Sequence, residues 1–359
     1  MAVSLLPEAK SRTSTGPTRG MSDGPTTPII GWLARARPNT WWYQKLPPVL
    51  GVFYATAYRS GTALVDLMIP LVSLLGALAV GAAFVSLIND YTDRADDRAA
   101  GKANRLGDLS PSLALMLVAT TIVAGLGFVW LFSDRPWLAA TYLAAWLVFA
   151  LYSLPPIRLK ARGLAGVLAD ATGAHLLPTL LALQLVWPPA TLIADPLWSG
   201  TVLIWSLAYG LRGILSHQLL DLANDRAVAL ETFAVRFGEL RIRRIVRGLL
   251  FPIEFIALIA IALQIGIWAG LLPLTLYAFF ILAKAERFEL RPILVAPAPR
   301  SIIVLGEYYE LFLPLALLLA AVVAHAADVC VLAAHVLLFW RGYARLAHDL
   351  VRLPRFILG

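Results

Sequence analysis

Charge is scarce in this chain, and its absence decides the class of protein. Only 14% of the 359 residues are Asp, Glu, Lys or Arg, whereas 59% are hydrophobic. A soluble domain carries about 25% charged residues, so a water-soluble fold is excluded. Cysteine is nearly missing: Cys330 alone excludes an intrachain disulfide framework and a cysteine-based metal cluster. Its apolar neighbours predict an inert core thiol. The alternating pattern of a membrane barrel strand is absent, which leaves helices. Residues 1–30 are rich in Ser, Thr, Pro and Gly and lack an apolar signal core, so they predict a disordered tail rather than a secretory signal.

What is present is a series of long apolar runs, too many for one soluble core. They predict an all-α polytopic membrane protein with spans near 41–58, 64–90, 110–132, 137–154, 164–187, 198–221, 246–264, 266–284 and 302–324. The intramembrane domain is expected over 31–326, and 327–359 forms a C-terminal segment. There Val329–Trp340 is short for a span, so either a tenth short helix crosses back or an amphipathic helix lies in the interface. The formal net charge is +8. Its cations concentrate before the first span and after the second, fourth, sixth and eighth, while the opposite loops hold Arg59 and Arg135. This is an orientation signal that makes the basic side cytoplasmic, and it argues against nucleic acid as a partner. The bilayer is the expected surroundings, and no obligate protein partner is evident.

The second run ends in Ile88-Asn89-Asp90-Tyr91-Thr92-Asp93-Arg94-Ala95-Asp96-Asp97-Arg98. On a continuing helix Asn89, Asp93 and Asp97 share one face at i, i+4 and i+8. Carboxylates stacked so closely call for a divalent cation, and oxygen-only ligands point to magnesium. Arg94, Arg98, Lys102 and Arg105 follow. Cations beside carboxylate-bound magnesium are what a diphosphate requires. The sixth run ends similarly: His217, Asp221 and Asp225 share a face, and Asp225-Arg226-Ala227 repeats Asp97-Arg98-Ala99. Spans two and six have the same parity, so both acidic clusters lie at one membrane face and hint at a duplicated four-helix unit.

Between them, Tyr152-Ser153-Leu154-Pro155-Pro156-Ile157-Arg158-Leu159-Lys160 forms a turn in which alternation sends Arg158 and Lys160 to one side. Asp170, His175 and Arg212 are ionisable groups within spans, where they are costly and functional by default. Arg212 is a candidate partner for Asp170. Lys45, beside Trp41, Trp42 and Tyr43 at the start of the first span, either snorkels or faces the acidic site.

With these residues assembled, the chain resembles the UbiA-type intramembrane prenyltransferase superfamily. Asn89, Asp90, Asp93 and Asp97 match its first motif, Asp221 and Asp225 its second, Thr232–Gly238 the segment that trails it, and Tyr152–Lys160 the loop of one branch. The resemblance implies about nine transmembrane helices around a central cavity. It further implies Mg2+ on Asn89, Asp93, Asp97, Asp221 and Asp225, with Asp90 among the catalytic acids. Arg94, Arg98, Arg158 and Lys160 would neutralise the diphosphate of an isoprenyl diphosphate. Lys45, Tyr152, Asp170, His175, Arg212 and His217 are left as candidates on the side of a small, aromatic acceptor. The expected location is a bacterial inner membrane, with the site towards the cytoplasm. Two alternatives remain: a terpene cyclase using the same aspartates, and a cation- or proton-coupled transporter, which would place its ionisable groups near mid-membrane.

Overall fold

The computed structural model describes residues 35–36, 38–99 and 101–353; the predicted disordered tail lies outside them. The long helices are α1 (Pro38–Arg59), α2 (Leu64–Thr92), α4 (Pro111–Leu131), α5 (Pro136–Ser153), α6 (Leu164–Val186), α7 (Pro196–Leu220), α9 (Glu239–Ile265), α10 (Ile267–Arg287) and α11 (Tyr308–Ala324). Two six-residue helices, α3 (Arg94–Ala99) and α8 (Leu222–Ala227), follow α2 and α7. The only strands among the described residues, β1 (Arg291–Ile293) and β2 (Ser301–Ile303), pair in parallel between α10 and α11.

Six of these helices are long and apolar enough to cross a membrane. The expected nine spans are all helical, but α1, α7 and α11 fall short of that test. Lys45, Pro47 and Pro48 interrupt α1, Arg212 and His217 interrupt α7, and α11 is short. α1 packs against α6 and α11, and its Leu50 and Phe53 are completely buried with Leu74, Leu317 and Trp198 in the largest core cluster.

Proline shapes these helices in a regular way. Four widened π-helical turns occur among the described residues, Thr172–Leu176, Val246–Leu250, Ile267–Leu271 and Tyr308–Phe312. Each ends two residues before a proline: Pro178, Pro252, Pro273 and Pro314. The proline ring removes one N–H and crowds the carbonyl a turn earlier, and the extra residue in the turn absorbs that mismatch.

Three expectations are corrected. α9 begins at Glu239 and not near residue 246, so Arg241, Arg243, Arg244 and Arg247 belong to its first turns. Arg243 there reaches Glu239 on its own helix and the Val295 carbonyl of the next loop. Cys330 is exposed, because its apolar surroundings are the outer surface of the bundle and not its core. Finally, the C-terminal segment is two helices where one was expected: α12 (Ala326–Leu338) runs into α13 (Trp340–Arg352) through an 85° bend.

Candidate active site

Both acidic motifs are built on the same joint. α2 ends at Thr92, and Asp93 (φ −96°, ψ 4°) links it to α3; α7 ends at Leu220, and Asp221 (φ −89°, ψ 1°) links it to α8. The predicted single continuous helix is therefore broken at each middle aspartate. The i+4 spacing nevertheless survives, because backbone hydrogen bonds run through the joint, the N–H of Asp93 donating to the carbonyl of Asn89 (2.9 Å), Asp97 to Asp93 (2.8 Å), Asp221 to His217 (3.0 Å) and Asp225 to Asp221 (2.9 Å). Seven residues past the last acid, a side chain returns to it: Asn104 Nδ2 donates to Asp97 Oδ2 at 2.7 Å, and Thr232 Oγ1 to Asp225 Oδ2 at 3.1 Å. The two halves thus share a fold at the scale of the motif, as the sequence repeat hinted.

The motifs meet at one cavity of about 470 Å³. Its wall includes Lys45 from α1, Asn89 and Asp90 from α2, Tyr152 from α5, Asp170 from α6, His217 from α7 and Asp221 at the joint after it. Lys102, from the loop after α3, reaches Asp221 at 3.5 Å and so joins the first loop to the second motif. An isolated parallel bridge between Gly163 and Thr232 ties the remaining two loops together.

Countercharge comes from the turn after α5. Arg158 donates to Asp93 at 2.9 Å and to Asp96 at 2.6 Å, and Lys160 donates to the same Asp93 oxygen. Arg158 and Lys160 therefore do project to one side. Burial pulls the Lys160 ammonium below its ordinary value, against the attraction of Asp93. Asp225 is pushed up to about 6, chiefly by burial and further by the negative charge of Asp221 and Asp93, with Thr232 and Lys102 acting the other way. Ser153 donates to Asn89 Oδ1 at 2.5 Å and ties the end of α5 to the first motif.

The expected metal ligands are not drawn into one preassembled cluster: among the described residues, no three His, Cys, Asp or Glu side chains converge closely enough to hold an ion. Asp93 is held by Arg158 and Lys160, and Asp97 by Asn104. The donor set still fits magnesium, since its side chains offer oxygen atoms alone as ligands.

Asp93, Asp97, Asp225, Arg158 and Lys160 lie outside the cavity lining, at the joints and the turn just described, and so do Arg94, Arg98, His175 and Arg212. Arg212 does not pair with Asp170; its Nε and Nη2 donate to Glu254 at 2.6 and 2.7 Å, and Nη1 to the Leu294 carbonyl. Tyr309 completes that buried network by donating to Glu254. Glu254 was invisible to the acid count because it sits alone in an apolar helix. His175 turns towards α7, edge-on to Tyr209, where Gly210 leaves room for it. Arg94 donates to the Leu109 carbonyl at 2.6 Å and braces its own loop, and Arg98 is exposed. Asp96, Asn104, Lys102, Ser153 and Thr232 hold the site together; Lys102, Ser153 and Thr232 lie in stretches the sequence already singled out, whereas the roles of Asp96 and Asn104 carried no such signal beyond the seven-residue offset that Asn104 shares with Thr232.

Aromatic side chains join aliphatic ones in the rest of the wall. Phe84 stacks on Trp146 with ring centroids 4.4 Å apart, and Trp41, Tyr142 and Phe149 line the same space.

The UbiA prenyltransferase family model matches residues 45–293. Solved structures of a UbiA homolog from Archaeoglobus fulgidus share the fold at 18% identity. The form bound to DMAPP and Mg2+ superposes with a TM-score of 0.55 and the form bound to GPP and Mg2+ with 0.54; each alignment covers 84% of this chain and 99% of that one. No curated protein matches the sequence significantly.

Proposed function

The chain belongs to the UbiA prenyltransferase family, and from that premise we propose that it transfers an isoprenyl group from an isoprenyl diphosphate to a small acceptor within the membrane, with Mg2+. The observation that carries this reading is one cavity lined by Asn89 and Asp90 of the first acidic motif, Asp221 of the second, and Lys45, Asp170 and His217. The diphosphates and Mg2+ bound to the archaeal homolog support the donor class. The acidic face is read as cytoplasmic from the distribution of Lys and Arg, in a bacterial inner membrane.

Asn89, Asp93, Asp97, Asp221 and Asp225 would hold the ions, and Asp90 lines the cavity beside them. When bound, Mg2+ supplies positive charge that stabilises the departing diphosphate. Arg158 and Lys160 add cationic donors at the same place and are free to exchange a carboxylate for a phosphate oxygen. The allylic C1–O bond breaks and its electron pair leaves with the diphosphate. The π-faces of Phe84, Trp146 and Phe149 stabilise the allylic cation and keep water away. A bond then forms between C1 and the acceptor nucleophile, whose proton passes to Asp170 or His217. Those polar groups favour transfer over cyclisation, because a cyclase needs no acceptor pocket.

The test is to reconstitute the purified chain with Mg2+, isoprenyl diphosphates of graded length and an acceptor panel, and to analyse products by mass spectrometry. Prenylated acceptor with stoichiometric diphosphate supports the proposal. Cyclic hydrocarbon formed without acceptor would establish the cyclase reading instead, and no diphosphate release from any donor would overturn both.

A further inference from the structure

We propose that α13 is a docking surface for anionic phospholipid headgroups on the membrane face that carries the acidic motifs. The inference starts from where α12 begins and ends. At its start, Asp328 is completely buried and accepts the amides of Leu64 (3.0 Å) and Val65 (2.9 Å), at the end of α2 remote from Asp93. At its finish, the Leu338 carbonyl accepts Trp42 Nε1 at 3.0 Å, near the beginning of α1. α12 therefore runs from one face of the bundle to the other. The 85° bend then turns α13 across the direction of α12, on the motif face.

The inner side of α13 is already satisfied by this chain. Gly342 lies against Leu311, Leu346 and Leu353 are buried, and the Tyr343 hydroxyl meets His335 at 3.1 Å. Asp349 accepts Lys284 at 2.7 Å, and the same ammonium holds Glu307 at 2.5 Å, so α13 clamps the ends of α10 and α11 together. The outer side has a different pattern. Trp340, Ala344, Ala347 and Val351 form an exposed stripe at i, i+4, i+7 and i+11, with Trp340 55% and Val351 68% exposed. Arg341, Arg345, His348 and Arg352 form an exposed stripe beside it at the same spacing. The one acid of α13, Asp349, is turned to Lys284 and meets the stripe only at His348, 3.5 Å away. A helix with one apolar and one arginine stripe suits the boundary between acyl chains and negatively charged headgroups. Neutral headgroups would satisfy the tryptophan and valine but not the arginines.

The experiment uses the full chain with Cys330→Ser and Val351→Cys, labelled with a polarity-sensitive fluorophore at residue 351. It is reconstituted in phosphatidylcholine vesicles or in vesicles that also contain phosphatidylglycerol. Quenching by neutral acrylamide reports exposure. The anionic vesicles should lower the quenching constant by about threefold or more, and high salt should erase the difference. Replacing Arg341, Arg345 and Arg352 with Gln should abolish the response, while replacing the three with Lys should keep most of it. The Lys variant and unchanged diphosphate release serve as controls for folding. Equal quenching in both vesicles would overturn the proposal. So would protection that follows the protein-to-lipid ratio rather than lipid charge, which would identify a second copy as the occupant.

Discussion

Asp93 shows how one residue concentrates the chemistry. It is the joint between α2 and α3, and it is also the acceptor shared by Arg158 and Lys160. Lys160 is the more buried of the two cations, at 7% side-chain exposure against 27% for Arg158. A charge there is screened least, so Lys160→Ala is expected to raise the KM for isoprenyl diphosphate at least tenfold, and by more than Arg158→Ala. Steady-state kinetics of both variants read the difference. Arg212 teaches the opposite lesson. Its sequence context, an arginine inside an apolar run, marked it as functional, yet the structure spends it on Glu254 in a site 4% and 0% exposed. Removing one member of such a pair strands a buried charge, so Arg212→Met should cost about 3–5 kcal/mol of stability in thermal or denaturant unfolding. Replacing both Arg212 and Glu254 with apolar residues of similar size should restore much of that loss.

At the scale of elements, the legible features were those with a period. Apolar runs located the helices, parity placed both acidic motifs at one face, and the fourfold spacing of the acids survived even though each helix breaks at its central aspartate. The π-helical turns were less visible, although all four announce themselves by a proline two residues on. Contacts between elements carried no periodic signal: neither Arg212–Glu254 nor the Asp328 cap on α2 follows from local sequence. Two changes test such contacts. A Cβ on Gly166 would lie 2.6 Å from the Leu159 carbonyl, in the turn that presents Lys160. Gly166→Ala should therefore shift that turn and lower kcat/KM for the diphosphate, while the apparent affinity of the acceptor changes less. Asp328→Ala removes two buried hydrogen bonds to a carboxylate and should destabilise the fold by about 1.5–3 kcal/mol, measured by unfolding, with the KM of the remaining folded enzyme unchanged.

Across the whole molecule, the account rests on two similar half-sites facing one cavity. Neither half has a converged ligand set by itself, and the sequence could not reveal that Arg158, Lys160 and Asn104 engage the first motif in this structure. The central claim is cooperation between the motifs, and a double-mutant cycle on donor binding measures it directly. A non-hydrolysable isoprenyl diphosphate analogue would be titrated, with and without Mg2+, into the wild-type chain, Asp93→Ala, Asp221→Ala and the double variant. The account predicts that each single change weakens Mg2+-dependent binding about a hundredfold and that the double change adds little more, because either loss dismantles the same site. Independent, additive losses, or binding that ignores Mg2+ and both aspartates, would contradict it.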